Sequence, residues 1–506
     1  MSDEPSGALL GSFNTEPELS YPPTHPLAET LDGGGEGRDL GTVVHGLHTF
    51  QWLVGLFLGV FDIALWIFAY YLISTLTGSY NHFTLRPLVL PIMVLMAALS
   101  LVRGYRAKTN FASLQYASEH LIACIGSFPI AAFFLFVIAS FEVTVYSSRA
   151  ILLGNVLIFT AFSLLIRRIY WFSTSKMRQS SQFFAIVDQK LGPLFYHDYN
   201  ASEQYQTVHY IGAKNSQVGR GVADTDSPVI EFGTAQLGAF LKKGNIFNID
   251  GIIIAAKISN LDEVLLQKLL SVHFDGVPVY SLGNFYEYYW NRLPLELVGP
   301  DWVIESHINL VKNSFLSVLK RFWDIVIPLA LLIILAPLFI LLIVLIFLMD
   351  GTPVIYSQQR VGHHQIPFTL YKFRTMKVGS DRENPYTQEE DSRVTRLGAF
   401  LRKTRMDELP QLWNVLRGEM SLIGPRAEWV KLVETYEKEI PHYHLRHLVR
   451  PGITGWAQVK YPYGSTLEDT LQKLSYDLYY ISNYSIKLEA AVMLKTIYVI
   501  LFGKGR

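Results

Sequence analysis

LKRFWDIVIPLALLIILAPLFILLIVLIFLMD, residues 319–350, decides the architecture of this chain. Its apolar run, 325–349, is long enough to cross a bilayer, which takes about 20 helical residues. Its surroundings argue against a crossing. Lys320, Arg321 and Asp324 precede it, and Arg360, Lys372, Arg374 and Lys377 follow it. Both flanks are basic, whereas Lys and Arg collect on the cytoplasmic side of a span. Pro328 and Pro337 lie within the run, and a central proline removes a backbone hydrogen bond and bends a helix. The pattern predicts a re-entrant membrane helix over 320–349 that breaks near Ala336-Pro337 and returns to the face it entered.

Composition places the rest of the chain at a membrane too. Half of the 506 residues are hydrophobic and 17% are charged, against about 25% charged in soluble proteins. Four further apolar stretches lie upstream, at 49–74, 87–102, 118–140 and 150–166. Arg103, Arg106 and Lys108 follow the second; Arg167, Arg168, Lys176 and Arg178 follow the fourth. The positive-inside rule puts both basic segments in the cytoplasm. The expectation is a four-helix transmembrane region over 46–170 with both ends inside. Asp62, within the first stretch, is the charge that can mark a transport pathway. A single Asp suits an anchor or dimerisation bundle better. Residues 1–45 are rich in Gly, Pro and acids, with Arg38 as their sole cation, which predicts a disordered tail and not a secretory signal. Cys124 is the one cysteine, so a disulfide framework and a thiolate zinc site are excluded.

Residues 182–305 have the pattern of a soluble α/β module. FFAIV (183–187), IDGIIIAA (249–256) and GVPVY (276–280) are short, apolar and β-branched or aromatic, as buried strands are. LDEVLLQKLLSV (261–272) has helical spacing. After the first strand comes Asp188-Gln189-Lys190-Leu191-Gly192, not the Gly-rich turn of a dinucleotide fold. A Rossmann-like shape without phosphate-binding equipment is expected, in a regulatory or structural role.

Downstream, the charge balance turns basic. Residues 312–506 hold 25 Lys and Arg against 18 Asp and Glu, which points to a phosphate-bearing partner. The densest block is RVTRLGAFLRKTRMDELPQLWNVLRGEMSLIGPRAEW (393–429). Asp407 and Glu408 follow Arg402, Lys403 and Arg405. Pro410 suits a first helical turn, so a helix is predicted to begin near Asp407. Asp407 could be its N-cap and nothing more. Against that, the surrounding cations can hold a diphosphate, and Gly424-Pro425-Arg426 adds a guanidinium suited to bidentate phosphate binding. The block also neighbours a membrane-inserted helix, where a lipid phosphate presents itself. His442, His444 and His447 lack the spacing of a shared helix face, which predicts surface or interfacial histidines, not a metal site. Segment 467–502 is predicted helical, lying in the membrane interface or covering the domain core.

Residues 312–506 resemble the catalytic domain of the bacterial polyprenyl-phosphate hexose-1-phosphate transferases. The strings that carry the resemblance are LKRFWD (319–324), Ala336-Pro337, QQRVG (358–362), YKFRTM (371–376), MDELPQLWNVLRGEMSLIGPR (406–426) and VRPGITGWAQV (449–459). They are long, ordered and collinear. Four spans followed by a degenerate Rossmann-like module resemble the long-form members, and KYPYGSTLEDTLQKLSYDLYY (460–480) is similar to members from exopolysaccharide systems. Ala427 stands where the family has a second proline, and Lys460-Tyr461-Pro462 where many relatives have Asn-Gly-Arg.

The resemblance implies a fold of three parts: a four-helix membrane bundle, an α/β module, and a monotopic, mainly α catalytic domain. It implies a hexose 1-phosphate transfer from a UDP-sugar to undecaprenyl (polyprenyl) phosphate, with release of UMP. Asp407 would be the nucleophile and Glu408 the Mg²⁺ ligand, with Lys320, Arg321 and Asp324 organising the active site at the membrane surface. Arg374, Arg402, Arg405 and Arg426 would bind substrate phosphates. Also implied are the bacterial inner membrane with the catalytic domain on its cytoplasmic face, contact with membrane lipid, a homodimer, and other polysaccharide-assembly proteins as partners. Nucleic acid is not an expected partner. Two other classes compete: a membrane-linked nucleotide-sugar epimerase or dehydratase, which needs the missing Gly-rich fingerprint, and a non-catalytic polysaccharide-assembly scaffold, which leaves the basic Asp-Glu block unexplained.

Overall fold

A computed structural model describes residues 40–77, 86–107, 109–141, 149–175, 182–202, 206–223, 227–230, 232–233, 249–299, 302–303, 315–379, 391–462, 464 and 466–502. Most of the tail expected at 1–45, together with Lys108, Lys176 and Arg178, lies outside the described residues. The first four helices are α1 (Leu40–Leu76), α2 (Arg86–Leu101), α3 (Leu114–Phe141) and α4 (Arg149–Ser173). Three carry stretches long and apolar enough to cross a membrane: Trp52–Leu76, Leu114–Val137 and Ile151–Ser173. The expected fourth, α2, has 16 residues. At 1.5 Å per residue it reaches about 24 Å, short of a hydrocarbon core of about 30 Å.

These helices pack through Trp66 against Phe159, edge-on with ring centroids 5.8 Å apart. Asp62 is fully buried, and so is its partner Arg167. Arg167 donates to both carboxylate oxygens, Nη1 to Oδ1 at 3.0 Å and Nη2 to Oδ2 at 2.6 Å. Tyr105 Oη and Ser163 Oγ donate to the same carboxylate, at 2.8 and 2.9 Å. The charge thus ties α1 to α4 and to the 102–113 connector. Its lone pairs serve packing between these helices.

The next module is a five-stranded parallel sheet in the order β3-β2-β1-β4-β5, made of Phe232–Gly233, Thr207–Gly212, Gln182–Val187, Ile249–Ala255 and Val279–Ser281. Helices α5 (Leu191–Asn200) and α6 (Glu263–Phe274) connect its strands. β1 and β4 are buried almost throughout, so they consist of apolar runs instead of alternating residues. Asp188 follows β1. Its Oδ1 accepts from the backbone amides of Lys190 (2.9 Å) and Leu191 (2.7 Å). A carboxylate therefore already sits on the α5 amides, where a dinucleotide fold places its phosphate.

The last part begins with α7 (Phe315–Ile334) and α8 (Ala336–Asp350), bent by 63° at Leu335. Pro337 opens α8, where a missing N–H is tolerated, so the proline starts a second helix instead of kinking one. An antiparallel hairpin follows, β6 (Ile355–Val361) with β7 (Pro367–Phe373). Then come α9 (Arg396–Lys403), α10 (Gln411–Arg417), β8 (Ser421–Ile423), α11 (Val430–Glu439), β9 (Gly452–Thr454), α12 (Trp456–Lys460), α13 (Leu467–Ser482) and α14 (Ile486–Phe502). A capping box, Thr466 with Asp469, starts α13.

The segment expected as one amphipathic stretch, 467–502, is two helices. Val492 on α14 is buried in the hydrophobic core of the C-terminal domain, and Lys495 pairs with Glu119 on α3. That core groups Tyr436, Tyr443, Trp456, Leu474 and Leu478 with two residues from the end of the α/β module, Leu293 and Val298. Trp456 Nε1 donates to Asn291 O at 2.9 Å, and Leu293 N donates to Ser475 O at 3.1 Å. Residues 291–298 are therefore packed as part of the C-terminal domain.

Candidate active site

Asp407 and Glu408 sit on a 3-10 turn, Met406–Glu408, entered through Arg405 in a left-handed conformation (φ 58°). The helix predicted to start near Asp407 starts at Gln411, with Pro410 at its cap position. Asp407 is therefore not an N-cap. Both carboxylates are 7% exposed.

The nearest cation is one that motif reading left among the flanks. Lys372, near the end of β7, places Nζ 2.8 Å from Glu408 Oε1 and 4.0 Å from Asp407 Oδ2. Its only sequence signal was its position inside YKFRTM. Arg405 Nη1 and Arg426 Nη1 each lie 3.7 Å from Glu408 Oε1. Burial alone would raise the Glu408 carboxyl, but Lys372, Arg426 and Arg405 overcome it and hold it down at about 2. Burial raises Asp407 above the ordinary carboxylate value. Lys372, Arg402 and Arg405 oppose that rise, and the Glu408 charge adds to it. Two adjacent carboxyls with divergent proton affinities are suited to different tasks.

The loop that carries Arg426 is fixed from below. A Cβ added to Gly424 would lie 2.3 Å from Arg450 O, one on Gly452 2.1 Å from Gly424 N, and one on Gly455 2.1 Å from Gly424 O. Only glycine allows this backbone approach between Gly424-Pro425-Arg426 and the Pro451–Gly455 segment. Arg446 Nη2 donates to Arg426 O at 3.1 Å, and Arg360 Nη1 to Ala427 O at 3.1 Å. Arg446 is itself paired with buried Asp477 at 2.8 Å. Neither Arg446 nor Arg360 was identified from sequence as a support of the site.

Of the predicted site residues, the structure gathers Asp407, Glu408, Arg402, Arg405 and Arg426, and uses the others elsewhere. Lys320 Nζ contacts Ile423 O (2.9 Å) and Glu489 Oε2 (2.6 Å). Arg321 donates to Val415 O and Leu416 O, both at 2.7 Å, closing the carbonyl end of α10. Asp324 Oδ1 accepts from Ser421 Oγ (3.0 Å) and Leu422 N (2.9 Å). These three anchor the membrane helix to the platform. Arg374 donates through Nη2 to Gly351 O (2.9 Å) and to Asp350 O, at the end of α8. The histidine expectation needs a correction, since His447 is 7% exposed. Burial, with Arg446 and His444, lowers it to about 3 and keeps it neutral. Among the described residues no three His, Cys, Asp or Glu side chains gather as a metal site.

Comparison with known proteins identifies one family. Residues 315–503 match the sequence model of the bacterial sugar transferases. The chain is 39% identical over 187 residues to an exopolysaccharide production protein of Rhizobium leguminosarum bv. phaseoli, covering 36% of this chain and 94% of that one. It is 40% identical over 231 residues (45% of this chain) to an Aeromonas hydrophila UDP-N-acetylgalactosamine-undecaprenyl-phosphate N-acetylgalactosaminephosphotransferase, and 40% identical over 185 residues (36% of this chain) to the Escherichia coli UDP-glucose:undecaprenyl-phosphate glucose-1-phosphate transferase. The matched stretches span 53% and 39% of those two proteins, so about half of their length or less.

Proposed function

The chain belongs to the bacterial sugar transferase family, and from that premise we propose that it transfers a hexose 1-phosphate from a UDP-sugar to undecaprenyl phosphate, as the first step of exopolysaccharide or related glycan synthesis. The observation that carries this reading is the buried Asp407-Glu408 turn, faced by Lys372, Arg402, Arg405 and Arg426. Asp407, with its raised proton affinity, is the better nucleophile. Its carboxylate attacks the sugar-bearing phosphorus, the bond to the UMP oxygen breaks, and UMP leaves with the electron pair. The lipid phosphate oxygen then attacks the same phosphorus. The aspartyl oxygen–phosphorus bond breaks, and Asp407 is regenerated as a carboxylate. Such a step divides one difficult transfer into two. Lys372, Arg402, Arg405 and Arg426 stabilise charge on the transferring phosphoryl group, the main source of catalysis in this chemistry.

Glu408 stays ionised across the physiological range, which suits a hard divalent cation held by one or two carboxylates and substrate phosphates. Mg²⁺ held there by Glu408 would supply further neutralisation of phosphate charge. We place the catalytic domain on the cytoplasmic face of the inner membrane, with 320–349 re-entrant. The four-helix region is read as its anchor and the parallel-sheet module as a Rossmann-like support. The purified chain, given a panel of UDP-sugars and undecaprenyl phosphate, should release UMP. Release of UDP, or of no nucleotide with any donor, sinks the reading.

A further inference from the structure

Where α8 ends, a cavity of about 530 Å³ opens whose lining includes neither Asp407 nor Glu408. Arg374 lines it and is 6% exposed. One guanidinium nitrogen, Nη2, holds the Asp350 and Gly351 carbonyls, while Nε and Nη1 have no hydrogen-bond partner. Buried guanidinium N–H groups are costly when unmet, so an acceptor is called for. Lys377 and Arg396 line the same cavity. Among the described residues its one carboxylate is Asp350, which accepts from Thr395 Oγ1 through Oδ2 at 2.9 Å. The described part of the lining is thus predominantly cationic.

The exposed part of the lining mixes charge with apolar surface, since Lys377 and Arg396 are exposed there too. Met349 is 61% exposed and Val378 is 71% exposed, and both line the opening. Met349 belongs to the last turn of the bent apolar helix, and on the membrane placement proposed above this part of the lining lies at the lipid surface. A buried guanidinium with exposed cations and exposed apolar side chains beside it fits an anionic amphiphile.

We propose that this cavity binds the phosphate of a lipid headgroup. Arg374, Lys377 and Arg396 face the phosphate, and the acyl or prenyl chain leaves over Met349 along α8. The site is joined to the catalytic turn through Thr375, whose Oγ1 accepts from Arg402 Nε at 2.8 Å. The assignment rests on the membrane placement proposed above, but not on the transfer chemistry. Two lipids share the required chemistry: the polyprenyl phosphate acceptor and an acidic phospholipid of the bulk membrane.

The test uses the full chain in detergent and native mass spectrometry, titrated with a short-chain polyprenyl phosphate, with phosphatidylglycerol, and with phosphatidylcholine as a zwitterionic control. Arg374 also holds the helix end, so its removal can disturb folding. The informative variant is therefore Lys377→Gln with Arg396→Gln. Losing two cations near a lipid phosphate should weaken binding by roughly tenfold or more. Loss for polyprenyl phosphate alone makes the cavity the acceptor site. Loss for phosphatidylglycerol alone makes it a bulk-lipid site, and loss for both makes it a common headgroup site. Unchanged affinity for both anionic lipids, or an equal loss for phosphatidylcholine, overturns the proposal. If no UDP-sugar yields UMP yet the variant loses anionic lipid, the transfer reading fails and the lipid site stands.

Discussion

Replacing Lys372 by Met tests the electrostatics of the site without touching either carboxylate. Glu408 is held at about 2, against an ordinary 4.5. At 1.36 kcal/mol per unit, that difference is worth ~3 kcal/mol of folding stability near neutrality. Three cations share it. Lys372 at 2.8 Å is closer than either arginine at 3.7 Å, so on the order of 1–2 kcal/mol is its share, before the cost of burying Lys372 itself, whose own pKa burial lowers, is set against it. Removing one partner of a buried pair is destabilising, and less so where other cations remain. For a domain of this size the unfolding temperature should fall by about 3–8 °C. The sign with pH follows from the depressed pKa. The stabilisation is complete above 4.5 and disappears as the pH falls towards 2. The gap between wild type and Lys372→Met is therefore widest near neutrality and narrows over that window. Thermal unfolding in nanodiscs, followed by intrinsic fluorescence from pH 7.5 downward, measures both effects. A variant as stable as wild type at neutral pH, or a gap that ignores pH, would refute the assigned electrostatics. Lys372→Arg should recover most of the loss.

Asp407→Asn should bring UMP release to background while circular dichroism stays that of the wild type, because an amide of nearly the same shape is a poor nucleophile; substantial turnover would remove Asp407 from its role. Glu408→Gln should raise the Mg²⁺ concentration needed for half-maximal rate, and an unchanged Mg²⁺ dependence would exclude Glu408 as the ligand. A chain beginning at Ser306 lacks Leu293 and Val298, both buried in the catalytic core, and should be less stable by about 3–5 kcal/mol than one beginning at Tyr288. Equal unfolding temperatures would show that 291–298 adds nothing. In a Cys124→Ser background, cysteines at Ser317 and Ser357 should both resist a membrane-impermeant thiol reagent until cells are opened. Outside labelling of Ser357→Cys alone would mean that 320–349 spans the membrane.

The bent membrane helix was legible because two independent signals, basic flanks and a central proline, fall on one segment. Strands β1 and β4 were legible because burial on both faces turns them into apolar runs, whereas β2, half of it partly exposed, and the two-residue β3 were not read. The α2 shortfall was not, since its apolar pattern continues to Val102 and hydropathy does not reveal where the backbone leaves the helix. Asp407, Glu408 and Arg426 stood out as charges in one dense block. Lys372 did not, because it reaches the turn from a strand 36 residues away. Arg446 and Arg360 were missed for a related reason. They act on the carbonyls of 426 and 427, and no side-chain pattern encodes a backbone partner. The same holds for Arg374, which the family resemblance assigned to a substrate phosphate and whose observed partners are helix-end carbonyls.

The anchoring role of Lys320, Arg321 and Asp324 bears on the chemistry despite their distance from the carboxylate turn. Arg321 grips the last carbonyls of α10, and α10 begins at Gln411, separated from the Met406–Glu408 turn only by Leu409 and Pro410. A rod of seven residues thus links the membrane helix to Asp407. Asp324 fixes the start of β8, and β8 leads into Gly424-Pro425-Arg426. Both sides of the site, the Asp407-Glu408 turn and the arginine loop, are therefore set relative to the same apolar helix. In the proposed function a lipid phosphate would approach from a plane defined by that helix, and these contacts would fix the height at which Asp407 meets it. Positioning of this kind dominates phosphoryl transfer, where misplacement by about 1 Å can cost on the order of 10²-fold in rate. Three residues that touch no reacting atom can in this way limit the reaction as strongly as one that does.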